Sequence, residues 1–402
     1  MPAVPAAPVA ITAFTATTAF GPGNGPLLAG LRAGRTALAL QRFETAGFDA
    51  WLGLVDGVDA VQLPPHLAAY DCRNNRLAWM GLQADGFAGR VAEARERHGA
   101  GRVGVFLGTS TSGILQTEQA YRGRDPATGA LPADFHYAET HNTGSVAAFV
   151  RAALGLVGPS FVVSTACSSS AKVFGSAARM LALGLVDAAV VGGVDSMCLT
   201  TLYGFQSLEL LSPDICRPWD AHRHGLSLGE AAAFALLERG AEAPRAWLRG
   251  VGETSDGYHM SSPHPEGAGA AAAMQQALAQ AGIAPPQLGY LNLHGTATPS
   301  NDAAEDRAVA RVFGPAGVRC SSTKGATGHT LGAAGGVEAV VCLLALEQGL
   351  VPGGANLQEQ DPQLASRYQA GPAMPDGTLK TVASNSFGFG GSNACLVFGA
   401  AA

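Results

Sequence analysis

Two kinds of apolar stretch alternate along the chain. Short β-rich runs punctuated by glycine recur at residues 103–107, 161–163, 188–191, 291–293 and 381–383, and between them lie alanine-rich stretches long enough for helices, notably 168–183 and 332–348. This alternation predicts an α/β architecture with buried sheets, whose small helix residues permit close helix–sheet packing. The start, residues 2–20, reads as a first strand: it is apolar but has no Lys or Arg before Arg32, unlike a secretory leader. No uninterrupted apolar run reaches the roughly 18 residues of a spanning helix, so no membrane association is expected.

The halves echo each other. Each offers a strand followed by a Gly-Thr turn, at Gly108-Thr109-Ser110 and Gly295-Thr296-Ala297, and then a serine-rich turn opening a small-residue helix, at 164–170 and 321–336. A duplicated α/β unit is expected, with a seam near 240–249 dividing the chain into residues 1–245 and 246–402.

Composition narrows the function classes. Only 14% of the 402 residues are charged, against roughly 25% in ordinary soluble domains, so part of the surface is expected to be hidden in an oligomer. A net charge of −6 with no basic run gives no footprint for nucleic acid. Seven scattered cysteines without a Cys-x-x-Cys pair fit neither a disulfide framework nor a zinc site, and suit a reducing cytoplasm.

Candidate chemistry lies at four places. Cys167 in Thr165-Ala166-Cys167-Ser168-Ser169-Ser170 falls where an apolar strand stops and a small-residue helix begins; there unpaired backbone N–H groups and the helix dipole favour a thiolate. His294 in Leu293-His294-Gly295-Thr296-Ala297-Thr298 and His329 in Lys324-Gly325-Ala326-Thr327-Gly328-His329 each follow a strand within a glycine-rich turn, where a side chain can project into a cleft. The turn Asn385-Ser386-Phe387-Gly388-Phe389-Gly390-Gly391 can aim backbone N–H groups at an oxyanion. Gly225-Leu226-Ser227-Leu228-Gly229 fits the Gly-x-Ser-x-Gly elbow of serine hydrolases, but the elbow needs a following helix and residues 231–237 read as a strand.

Taken in order, these four motifs resemble the β-ketoacyl-acyl carrier protein synthases of the elongating type, over nearly the whole chain. The resemblance implies a thiolase-like fold of duplicated α/β halves in αβαβα layers, a dimer, no metal or redox cofactor, and substrates carried on the phosphopantetheine of acyl carrier protein. It implies that Cys167 takes the acyl group, with the Cys167 and Phe389 backbone N–H groups as oxyanion hole. His294 and His329 would then stabilise the enolate formed as malonyl thioester loses carbon dioxide. It further implies that Lys324, Glu305 and Asp302 support the histidines, that Thr296 and Thr298 bind pantetheine, and that Gly388, Phe389, Gly390 and Gly391 form a gating loop. Lys324 and His329 stand where thiolases would offer a second cysteine and priming synthases an asparagine, which favours elongation.

Two departures bear on the pathway. His224 stands where the family's Asp is usual, and Ala231 where Gly is usual. The loop Gly108-Thr109-Ser110-Thr111-Ser112-Gly113, expected near the acyl pocket, is more polar than a saturated-fatty-acid enzyme would have, pointing to polyketide or polyene assembly. A chain-length-controlling subunit would have lost its nucleophile, whereas Cys167, His294 and His329 are all present. The chain therefore reads as an active subunit, paired with itself or with such a partner.

Overall fold

The computed structural model describes residues 7–315, 317–374 and 378–401. Eleven strands are hydrogen-bonded into one continuous array: β1 (Val9–Thr17), β2 (Val103–Gly108), β3 (Ser160–Val163), β4 (Ala188–Asp195), β5 (Ala231–Glu238), β6 (Ala246–Ser255), β7 (Tyr290–Asn292), β8 (Arg319–Ser321), β9 (Arg367–Tyr368), β10 (Thr381–Gly388) and β11 (Ser392–Ala400). Their order is β9-β8-β7-β10-β11-β6-β1-β5-β4-β2-β3. β1 joins the halves, pairing antiparallel with β5 along most of its length and with β6 through Val9, Ala10 and Ile11. Residues 2–6 of the expected first strand lie outside the described residues.

Without the short edge strand β9, both halves have one topology. Counted within its own half, each places its third, second, fourth, fifth and first strands side by side; the first three are parallel and the others antiparallel. β2, β4 and β5 are buried along their whole length, which is why they read as nearly continuous apolar runs rather than alternating ones. β3 departs from the expectation of buried sheets: it is an edge strand, and Phe161 is 38% exposed.

Between the two halves of this array lie α1 (Ser169–Ala182) and α2 (Ala334–Gln348), which touch each other and strands of both halves. Arg73–Gln83 covers the outer face of the first half, and Ala268–Ala281 that of the second, completing the αβαβα layering. Every residue of α2 from Ala334 to Leu346 is buried, so it is apolar on all sides as a core helix must be. Leu331–Gln348 is apolar and long enough to cross a membrane, but 89% of it lies inside the protein.

Candidate active site

The four sequence motifs meet at the inner ends of the strands, where the layers leave a cleft. After β3 the chain turns sharply at Ala166, whose φ of 51° is left-handed. Three serine and threonine contacts pin that turn: Ser169 Oγ donates to the Ala166 carbonyl at 2.5 Å, Ser168 Oγ donates to the Thr165 carbonyl at 2.9 Å, and Thr165 N–H donates to Ser169 Oγ at 2.9 Å. Cys167 is thereby presented at the mouth of α1. Ala297 and Leu331, which flank the histidines, also hold positive φ, at 66° and 53°. Strained backbone thus gathers near all three candidate side chains.

His329 Nε2 lies 3.0 Å from Cys167 Sγ. Its Nδ1 accepts the Leu331 backbone N–H at 3.2 Å, so the neutral ring carries its proton on Nε2, pointing at the sulfur. His294 is fixed in the same sense from the other side. Lys324 Nζ donates to the His294 carbonyl at 2.6 Å and lies 3.3 Å from His294 Nδ1, leaving Nε2–H to face the cleft. The rings are 5.4 Å apart and nearly perpendicular, so two N–H donors converge beside one sulfur.

Behind this front, carboxylates hold the loops. Glu305 accepts the backbone N–H groups of His294 and Gly295, each at 2.8 Å, and the Asn385 amide at 3.0 Å. Asp302 accepts Trp219 N–H at 3.1 Å and Ala297 N–H at 3.2 Å and pairs with Arg223, anchoring the turn that carries Thr296 and Thr298. Lys324 forms a buried ion pair with Glu338, whose other oxygen receives Ser386 Oγ. Glu338 was not found from the sequence. The signal was there, in a lone carboxylate within the apolar α2 run, but only the fold brings it to Lys324.

Burial dominates the electrostatics. It pushes both imidazoles well below the usual histidine range, and the Lys324 ammonium pushes them further in the same direction. Burial likewise lifts Glu305 and Glu338 to about 7, against the N–H groups holding the first and the Lys324 charge facing the second. The Cys167 thiol is pushed up to about 11 by burial, opposed by Lys324 and by the Phe389 backbone N–H. Cys167 is 6% exposed and precedes the first helical residue by two positions.

Two cavities share Cys167, Phe205 and Phe389. One cleft is lined by His294, His329, Thr296 and Thr298; a second, more open one is walled by Ser110, Thr201, Leu208 and Leu331. The Phe205 and Phe389 rings, 5.8 Å apart, stand where the two meet. Phe205 was not anticipated from the sequence. The polar loop at 109–112 does not make the second cavity polar: Thr109, Ser110 and Thr111 direct their hydroxyls to Asp195, and Ser112 to the Thr140 and Asn142 carbonyls. Its polarity therefore says nothing about the acyl chain. Among the described residues, Cys167, His294 and His329 form the one cluster with ligand atoms close enough to hold a metal, within 4.8 Å of one another; the adjacent Lys324 charge opposes a dication there. Ser227, by contrast, is buried and is followed by strand rather than helix, so no hydrolase elbow forms.

The chain is similar to known proteins along most of its length. The beta-ketoacyl synthase N-terminal domain family matches residues 72–243, and the corresponding C-terminal domain family matches residues 245–358. The chain is 34% identical to 3-oxoacyl-[acyl-carrier-protein] synthase 2 of Vibrio cholerae, covering 92% of this chain and 93% of that protein. It is 36% identical to nodulation protein E of Rhizobium meliloti, covering 74% and 75%. Among solved structures, a ketosynthase from Xenorhabdus doucetiae in complex with its chain length factor is 38% identical, with a TM-score of 0.88 over 98% of both chains. The ishigamide ketosynthase/chain length factor gives 0.88 at 27% identity, over 98% of this chain and 99% of that one.

Proposed function

The chain belongs to the β-ketoacyl synthase family, and from that premise we propose that it joins an acyl thioester to malonyl-acyl carrier protein by decarboxylative Claisen condensation. The observation that carries this reading is the gathering of His294 and His329 around the Cys167 sulfur, with ligand atoms within 4.8 Å of one another and a donor near each Nδ1.

In the first half-reaction Cys167 attacks the acyl thioester of a carrier protein, and the carrier thiol leaves with the proton that Cys167 gives up. The backbone N–H groups of Cys167 and Phe389 hold the tetrahedral oxyanion. A malonyl thioester then enters past Thr296 and Thr298, which grip its pantetheine arm. The two Nε2–H groups hydrogen-bond its thioester oxygen as carbon dioxide leaves, so the enolate charge forms against preorganised donors. The carbanion attacks the acyl-Cys167 carbonyl, a 3-oxoacyl-carrier product departs, and the released thiolate takes a proton from water. Lys324 stays charged and paired, holding His294, with Glu305 and Asp302 fixing the backbone around it. No step calls for a metal or a redox cofactor.

The partners are acyl carrier protein and a second ketosynthase-like subunit. That subunit is a second copy of this chain or a chain-length-controlling partner, and one feature makes room for it: the second cavity is bounded by Leu208, which is half exposed, so another chain can close it. The halves 1–245 and 246–402 act as one unit, the first supplying the nucleophile and the second the histidines. The family, seven free buried thiols and the low charge support a cytoplasmic place in fatty acid or polyketide synthesis. Intact-protein mass spectrometry after incubation with acyl carrier proteins tests this. An acyl adduct is expected on the wild type and none on Cys167→Ala, and an adduct that persists or maps to Ser227 defeats the proposal.

A further inference from the structure

Asp195 ends β4 and is completely buried. Its carboxylate is met by hydroxyl and backbone N–H donors from two separate segments. From the first segment come Thr109 Oγ1 at 2.6 Å, the Ser110 and Thr111 backbone N–H groups at 2.8 Å, Ser110 Oγ at 2.6 Å and Thr111 Oγ1 at 2.8 Å. From the second comes Gly332 N–H at 2.5 Å, which also lies 3.0 Å from Ser110 Oγ.

The second segment carries His329. Gly332 follows Leu331, whose N–H sets the His329 tautomer and whose φ is left-handed. The junction has no slack: a β-carbon on Gly332 would stand 2.7 Å from Asp195 Oδ2. Ser110 and Leu331, one from each segment, are also walls of the second cavity.

We propose that Asp195 is a positioning residue that ties the acyl-cavity loop to the His329 turn, thereby fixing both the cavity wall and the Nε2–H tautomer of His329. The proposal rests on the ketosynthase reading above. Its physical basis is that a carboxylate is acceptor-only and opposes none of these donors, whereas an amide of the same shape must turn two hydrogens toward some of them. In Asp195→Asn either the Gly332 N–H or the Thr109–Thr111 donors then face an NH₂ group. The strained turn relaxes, and His329 loses the contact that keeps Nδ1 bare.

The test compares wild type, Asp195→Asn and Ser110→Ala, measuring acylation of Cys167, malonyl-carrier decarboxylation and the ¹⁵N NMR signals of labelled histidine. In Asp195→Asn the decarboxylation kcat should fall about ten- to a hundredfold, as expected for a misplaced catalytic group. KM should change less than about twofold, and the His329 signals should leave the single Nε2–H pattern. Ser110→Ala, which keeps the carboxylate and removes one donor, should shift both readouts in the same direction by less. Wild-type kcat together with an unchanged His329 tautomer in Asp195→Asn overturns the proposal. If that variant does not fold, wild-type values in Ser110→Ala overturn it. A wild-type protein that neither acylates nor decarboxylates would instead defeat the ketosynthase reading.

Discussion

At His294 and His329, burial and the neighbouring ammonium act together, so the folded protein holds both rings neutral where a free imidazole, with its pKa of 6.5, is half protonated. The unfolded chain binds those protons and the folded chain does not. The contribution of the pair to stability is therefore complete above about pH 6.5 and is lost as the pH falls below it. Histidine NMR should show no titration of either ring between pH 8 and 6, and a midpoint near 6.5 for either would contradict the assignment. Removing one donor from the pair, in His329→Ala, should lower decarboxylation and condensation by about 10²–10³-fold while acyl transfer to Cys167 persists. Equal retention of all activities would take His329 out of the mechanism. Glu338→Ala leaves the Lys324 ammonium buried without its carboxylate and should cost about 3–5 kcal/mol in urea unfolding; a loss below about 1 kcal/mol would mean that Lys324 is neutral or finds another acceptor.

The loop after β10 illustrates how two glycines of one element can do different jobs. Gly388 is still strand, with φ −102°, and a β-carbon there would stand 2.5 Å from the Thr165 carbonyl and 3.2 Å from Ser168 N. Gly388→Val therefore strikes the turn that presents Cys167 and should destabilise the fold as well as slow acylation. Gly390 is at the exposed tip with φ 80° and open space where a β-carbon would go. Gly390→Ala costs about 1–2 kcal/mol of backbone conformation without a clash, so it is the cleaner probe of loop motion. The loop is also tied down, by Gly390 N–H donating to the Met260 carbonyl at 2.7 Å and Asp256 N–H to the Gly391 carbonyl at 2.8 Å, and opening must break these bonds. In stopped-flow acyl transfer Gly390→Ala should be slowed several-fold. Wild-type rates in both Gly390→Ala and Phe389→Ala, with unchanged order of substrate addition, would reduce the loop to a simple turn.

Over the whole molecule, the edge of the sheet is the feature left unfinished. β3 pairs only with β2, and it presents Phe161, 38% exposed, close to the 73% exposed Val157. An open apolar edge is a template for pairing with another chain. Light scattering should give a dimer of this chain or of this chain with a related subunit. Phe161→Asp, which sets a charge at that edge, should shift it toward monomer. A wild-type protein that is monomeric and fully active at assay concentration would overturn this assembly.

The chain by itself determined the class of element and the candidate reactive residues. Buried parallel strands must be apolar on both faces and helices between sheets must be small, so runs such as Val103–Gly108 and Ser169–Ala182 announce themselves. The nucleophile and both histidines sit in local turn sequences whose serines and glycines are needed within a few residues. Whatever depended on residues far apart in the chain was decided by tertiary structure. Glu338 reaches Lys324, Phe205 reaches Phe389, and Asp195 draws Thr109, Ser110 and Thr111 to Gly332. The same holds for ionisation. A helix terminus can be read from sequence, but the burial that lifts the Cys167 thiol to about 11 comes from the loops and layers that close over it, and desolvation belongs to the packed whole rather than to any local pattern.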